Sequence, residues 1–184
     1  MQDLWIFAYG SLMWNPGFTY EERLSARLHG YHRAFCVYSH VHRGTPERPG
    51  LVFGLDAGGS CRGIAYRVAA ERAEATRAYL EEREQVTSVY LDRIKQVELI
   101  GGPSVPSLCF LVDRAHTQYA GKLDFATQVR LITEGVGSSG RNPDYLFSMV
   151  EHLREMGIHD VPLEALARAV HERIANASEA VAPG

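Results

Sequence analysis

The stretch Leu4-Trp5-Ile6-Phe7-Ala8-Tyr9-Gly10-Ser11-Leu12-Met13-Trp14 decides how the rest of the chain is read. From Leu4 to Ala8 it is apolar without alternation, which predicts a strand in a buried core. The run breaks at Tyr9-Gly10-Ser11, resumes at Leu12-Met13-Trp14, and stops at Asn15-Pro16-Gly17, a turn composition. Glycine at a strand end lets the backbone bend closely around another group. N–H groups turned out of a sheet in this way can hold a carboxylate or a developing oxyanion. A simple strand-ending turn accounts for Gly10 but not for Ser11 or the flanking aromatic residues.

Outward from this point, Arg33–Val41 reads as a second strand, rich in β-branched and aromatic residues. Leu51–Asp56 and Cys61–Val68 flank Ala57-Gly58-Gly59-Ser60 and predict a hairpin. Ala69–Glu84 is rich in helix formers and predicts the first helix. Val89–Leu99 and Ser107–Asp113 read as further strands. The last third changes period. Phe125, Val129, Ile132 and Val136 share one helical stripe. Asn142-Pro143 reads as an N-cap followed by proline at the first helical position, opening a helix that buries Leu146, Val150 and Leu153 and ends at Gly157. Val161–Ile174 predicts a last helix with Leu163, Leu166, Val170 and Ile174 inward. The expected architecture is α+β, a strand-rich body curled into a small β-barrel with packed helices. It is expected as a single domain over residues 1–184, with a tail that frays from about Asn176.

Composition narrows the function classes. A hydrophobic fraction of 46% with 22% charged residues describes an ordinary globular protein. The net charge of −3 and scattered basic residues argue against a nucleic-acid surface. No apolar run approaches the roughly 20 residues of a membrane span, and an N-terminus carrying Asp3 without a basic region argues against a signal peptide. Cys36, Cys61 and Cys109 lie in apolar stretches without metal-knuckle spacing and read as small buried hydrophobes. Their odd number suggests a reducing, cytoplasmic compartment.

Four features invite chemical readings that the sequence does not support by itself. Gly135-Val136-Gly137-Ser138-Ser139-Gly140 matches a dinucleotide fingerprint, but a helical pattern precedes it where a strand is required, so a helix-to-helix turn is expected. His40 and His42 share a strand face without a third ligand nearby. Ser11 lacks the G-x-S-x-G elbow of a nucleophile. The run Glu81-Glu82-Arg83-Glu84-Gln85 reads by default as a solvated helix face, and periodicity does not choose among its glutamates.

Taken together, Tyr9–Phe18 (YGSLMWNPGF), His42–Gly50 (HRGTPERPG), Tyr79–Glu84 (YLEERE) and Ser139–Leu146 (SGRNPDYL) resemble the ChaC family, in order and spacing over roughly residues 4–175. Gln85-Val86-Thr87-Ser88-Val89-Tyr90 looks like the bacterial branch. The resemblance implies the γ-glutamylcyclotransferase-like fold and cleavage of glutathione to 5-oxoproline and cysteinylglycine, without metal or organic cofactor. It implies that Glu84, in the Arg83-Glu84 pair, is catalytic. It implies a substrate loop at Tyr9, Gly10, Ser11 and Leu12, with neighbours Ala8 and Met13, and a site tyrosine at Tyr145. Arg43 is a candidate fork for the glycine carboxylate of glutathione. The expected partner is that small molecule alone, with no nucleic acid and no membrane, and a monomer is expected. Two alternatives stand beside this reading: a cyclotransferase for other γ-glutamyl amines or amino acids, and a non-catalytic binding module on the same fold.

The implied chemistry suits these residue types. The α-amine of a γ-glutamyl group attacks its own γ-carbonyl, so the protein need only fold the substrate, and intramolecular reactions reach effective molarities on the order of 10⁵ M or more. One carboxylate can take the amine proton and return it to the leaving amine. A free glutamate, near pKa 4.3, is too weak a base, and burial beside an apolar wall corrects that.

Overall fold

The apolar run Leu4–Ala8 forms β1, and its composition has a topological cause. β1 is paired on both edges. It runs antiparallel to β3 (Gly50–Val68), from Leu4 opposite Val68 to Ala8 opposite Ile64. It runs parallel to β5 (Ser104–Val112), with Trp5 opposite Ser107 and Ile6 opposite Leu108. With β2 (Glu22–Ser39) and β4 (Tyr90–Leu99), these strands close a barrel in the order β1-β3-β2-β4-β5. Closure leaves no edge for solvent, and Ile6, Phe7 and Ala8 have no exposed surface.

The computed structural model describes residues 2–84 and 88–181; of the bacterial-branch segment, residues 85–87 lie outside the described residues. The chain forms two compact units, Met1–Ala34 with Phe53–Tyr119, and Phe35–Val52 with Ala120–Gly184. In the first unit, the barrel is joined by a 3₁₀ turn at Ala70–Arg72 and helix α1 (Ala73–Glu84). β4 and β5 pair from Tyr90 opposite Val112 through Glu98 opposite Ser104. All three cysteines are free and buried, and burial pushes the Cys109 thiol up to about 12, so it carries no reactive thiolate.

Two strand expectations need correction. The predicted hairpin at residues 51–68 is one continuous strand, β3. Gly58 and Gly59 take φ of 104° and 69°, which bends the strand without reversing it. Across from them His32 Nδ1 hydrogen-bonds the Gly58 carbonyl at 3.0 Å. The turn composition marks a kink shared by two long strands. β2 also begins at Glu22, eleven residues before the expected Arg33, because Ala26 and Leu28 bury against the barrel opposite Leu99 and Val97.

In the second unit, α2 (Phe125–Glu134), α3 (Asn142–Glu155) and α4 (Val161–Val181) pack on one another. Asp124 caps α2, accepting from Thr127 N at 2.9 Å. The stripe of α2 is narrower than expected: Val129 and Ile132 are buried with Leu131, while Phe125 is 50% exposed and Val136 lies beyond the helix, 55% exposed. α3 buries Leu146, Met149, Val150 and Leu153, and Gly157, at φ 67°, follows its end. α4 buries Leu163, Leu166 and Val170, leaves Ile174 half-buried, and continues past Asn176 to Val181. Between α2 and α3 the expected turn is a two-residue ladder, β6 (Val136–Gly137) against β7 (Gly140–Arg141).

The tightest backbone approach at the end of β1 is to Gly63, where an added methyl would lie 2.2 Å from the Ala8 carbonyl oxygen. Gly63→Ala is expected to lower stability in urea by about 1–3 kcal/mol. An unchanged unfolding midpoint would contradict this packing of β1 on β3.

Candidate active site

β1 ends at Ala8, and Tyr9-Gly10 lead into a 3₁₀ turn at Ser11–Met13. Met13 N donates to Gly10 O and Asn15 N to Ser11 O, each at 2.9 Å. The N–H groups of Gly10, Ser11 and Leu12 meet no acceptor among the described residues. A methyl added to Gly10 would meet nothing within 4 Å, so open space lies over this backbone. Ala8, Leu12 and Met13 are buried; Ala8 pairs with Ile64 and the Met13 main chain is bonded to Gly10 and Tyr66, so of the three only Leu12 keeps an N–H without an acceptor among the described residues.

The side chains of Arg33, Tyr66 and Arg83 hold the bend, and Arg23 Nη2 adds a contact to Met13 O at 3.3 Å. Arg33 Nε donates to the Tyr9 carbonyl at 2.7 Å. In a trans peptide the N–H points away from the carbonyl, so this bond directs Gly10 N–H to the opposite side. Tyr66, buried beside Phe18 and Tyr20, donates its hydroxyl to Met13 O at 2.7 Å. Arg83 donates Nη2 to Ser11 Oγ at 3.1 Å and Nη1 to Asn15 O at 3.0 Å and Tyr79 Oη at 3.1 Å. Ser11 therefore faces a cation, and no base is within hydrogen-bond reach of it among the described residues. The geometry gives no support to a serine nucleophile.

Glu84 sits next to Arg83 at the last residue of α1. Leu80 is the one large aliphatic residue of that helix and is fully buried. Glu84 lies one turn further along the same face. Its side chain is 20% exposed, and its charged neighbour is Arg83, with Nε 4.0 Å from Oε1. The carboxylate accepts no hydrogen bond among the described residues. Burial raises its pKa above the usual glutamate range, and the Arg83 charge pulls it back by less. The carbonyls at the helix C-terminus also disfavour the ionised form. The other glutamates of the run differ: Glu81 accepts from Arg77 at 3.0 Å, and Glu82 is exposed.

Arg43 and Tyr145 come together in the second unit. The Arg43 guanidinium lies over the Tyr145 ring, 5.2 Å from its centroid, and Phe35 meets that ring edge-on at 6.1 Å. Arg43 Nη1 donates to the carbonyls of Ser139 at 2.7 Å and Arg141 at 3.2 Å. Among the described residues no carboxylate pairs with it. Residues 135–140 clasp this loop: Ser138 N and Ser139 N donate to Val41 O and His42 O at 2.8 and 3.0 Å. Methyls on Gly135 and Gly137 would come within 2.6 Å of Arg43 O and 2.4 Å of Val41 O. Close packing thus accounts for glycines that mimic a nucleotide fingerprint. Asn142 is not the expected cap of α3. Its fully buried amide accepts from Leu51 N at 2.7 Å and donates to Leu51 O at 2.8 Å, and Arg141 holds the cap position. His42 Nδ1 contacts Ser139 Oγ at 3.0 Å, and His40 stacks on Tyr38. Among the described residues no cluster of three or more His, Cys, Asp or Glu side chains could hold a metal, and no helix is long and apolar enough to cross a membrane.

Arg33 and Tyr66 escape the sequence reading because they donate to main-chain carbonyls, which leave no pattern in the sequence. One signal for Glu84 was available, the Thr76-Leu80-Glu84 spacing on the buried face of α1.

The first strand of the closed barrel thus bends into N–H groups that meet no acceptor among the described residues, and Arg83 links that bend to the helix that carries the half-buried Glu84. The chain belongs to the ChaC-like protein family, whose model matches residues 4–173. It is 37% identical over 172 residues to the glutathione-specific γ-glutamylcyclotransferase of Escherichia coli K12, covering 94% of this chain and 74% of that protein. It is 31% identical over 192 residues to the fission yeast Schizosaccharomyces pombe protein of the same name, covering 90% and 93%. Among solved structures, a γ-glutamyl cyclotransferase specific to glutathione from yeast superposes with a TM-score of 0.84 at 24% identity, covering 94% of this chain and 97% of that one. The fold is accordingly the γ-glutamylcyclotransferase-like α+β fold.

Because the folded state raises the Glu84 pKa, its contribution to stability is fully present below the unfolded pKa and is lost as pH rises through the folded one. Glu84→Gln is therefore expected to be more stable than the parent at pH 7, with the gap closing near pH 4, as read by urea midpoints. Lower stability of the variant at pH 7 would contradict the burial cost.

Proposed function

We propose that this chain is a γ-glutamylcyclotransferase that converts reduced glutathione to 5-oxoproline and cysteinylglycine, with Glu84 as its acid and base. The family membership and the names of the relatives support the reaction. The single observation that supports the assignment of Glu84 is its half-buried carboxylate, which accepts no hydrogen bond among the described residues and follows directly on Arg83, the residue bonded to the bend after β1.

The steps follow from the groups present. Glu84 accepts a proton from the substrate α-amine, whose nitrogen forms a bond to the γ-carbon. The γ-carbonyl oxygen takes up the electron pair, and the free N–H groups at Gly10, Ser11 and Leu12 stabilise it. As the carbonyl reforms, the bond to the cysteine nitrogen breaks and Glu84 returns the proton to that leaving amine. Atoms and charge balance without a covalent enzyme intermediate. In the second unit, Arg43 pairs with no carboxylate among the described residues and is proposed as a fork for a carboxylate, with Tyr145 supporting its guanidinium.

Incubating purified protein with reduced glutathione is expected to yield equal amounts of 5-oxoproline and cysteinylglycine, with much slower release from γ-glutamyl-alanine. Equal turnover of both substrates overturns the specificity. Binding of glutathione without product would establish a non-catalytic module. Glu84→Gln is expected to lower kcat about 10²- to 10⁴-fold with an unchanged circular dichroism spectrum. Near-parent turnover by that variant removes Glu84 from the mechanism.

A further inference from the structure

We propose that Arg83 is a positioning residue: it fixes the Ser11 hydroxyl as a hydrogen-bond donor toward the substrate and fastens the turn at residues 11–16 to the helix that carries Glu84. This deepens the proposed function and rests on it for the identity of the ligand.

The direction of the hydrogen bonds carries the argument. A guanidinium has five N–H donors and no acceptor. In the contact between Arg83 Nη2 and Ser11 Oγ at 3.1 Å, serine must therefore accept. Its own proton is left over, and no acceptor for it is present among the described residues. Beside it stand the free N–H groups of Gly10, Ser11 and Leu12. Arg83 thus turns an ambivalent hydroxyl into one more donor at a place made of donors. Such a place fits an oxygen that carries negative charge, as a carboxylate or a tetrahedral intermediate does.

A neutralising ion pair is the competing explanation for an arginine beside a glutamate. The distances decide against it. Arg83 Nε stands 4.0 Å from Glu84 Oε1, beyond hydrogen-bond range. The loop contacts at Ser11 and Asn15 are 3.1 and 3.0 Å, that to Tyr79 on the same helix is 3.1 Å, and Pro16 O lies at 3.4 Å from Nη1. Planarity matters too: one fork reaches Ser11 through Nη2 and the far side of the turn through Nη1, which the single ammonium of lysine cannot copy.

Two measurements test this. Without substrate, amide hydrogen exchange in Arg83→Gln is expected to speed up at least about tenfold at Met13 and Asn15, whose N–H groups close the turn, while the amides of Ile94 and Leu108 stay unchanged. With glutathione, kcat and KM are measured for Ser11→Ala, Arg83→Gln and the double variant. The double variant is expected to fall within about threefold of the worse single one, because Arg83 acts through Ser11. Arg83→Lys is expected to recover part of kcat, and it replaces Arg83→Gln in both measurements should that variant fail to fold. Unchanged exchange in the turn overturns the proposal, and so do single losses that multiply in the double variant. If the parent protein cleaves no γ-glutamyl compound, the functional reading fails, while the exchange result still decides whether Arg83 fastens the turn.

Discussion

An arginine that follows its own geometry away from the glutamate beside it is the constraint on which this site rests. Placed fork to fork, Arg83 would hold Glu84 ionised and make it a poor base. The helix instead sends the guanidinium to the bend after β1, where Ser11 and Asn15 take its donors, with Tyr79 of the same helix accepting beside them. Glu84 is left on the Leu80 face, half-buried and at 4.0 Å from the nearest guanidinium nitrogen. Within one residue pair, the arginine thereby bonds the loop while burial raises the pKa of the glutamate. The barrel supplies the rigid frame, since β1 is locked by β3 and β5 on its two edges before the chain bends.

The second unit uses arginine in a related way. Arg43 spends Nη1 on the carbonyls of Ser139 and Arg141 and lays its plane on Tyr145. Glycines at 135 and 137 let two stretches of main chain meet at distances that any side chain would forbid. The buried amide of Asn142 then stands in for a strand neighbour of Leu51, satisfying both its N–H and its C=O. These contacts explain why the HRGTPERPG and SGRNPDYL stretches occur together in one chain: they hold each other.

Much of this was legible in the residues, for physical reasons. β1, β4, β5 and the helices declared themselves because burial on one or two faces imposes a period on the sequence. Gly58-Gly59 misled because positive φ serves a kink as well as a hairpin turn, and the two compositions are the same. The start of β2 was hidden because Glu22–Leu28 is written in residues that also favour helices, and only its pairing with β4 makes it a strand. Glu84 was singled out through the family resemblance, whereas its burial one turn beyond Leu80 follows from the helix itself. The loop anchors Arg33 and Tyr66 stayed invisible, because a bond to a carbonyl oxygen makes no demand on the identity of the residue that bears it.

The most direct test of the account is the ionisation of Glu84 itself. Carbon NMR of labelled glutamate carboxyls, assigned by comparison with Glu84→Gln, reads its pKa, and the acid limb of kcat/KM reads the same proton through the reaction. The account predicts that Glu84 titrates above the ordinary glutamate value of about 4.3 and that the acid limb follows it. A Glu84 carboxyl that titrates at or below that value, with activity indifferent to its protonation, would contradict the proposed proton shuttle.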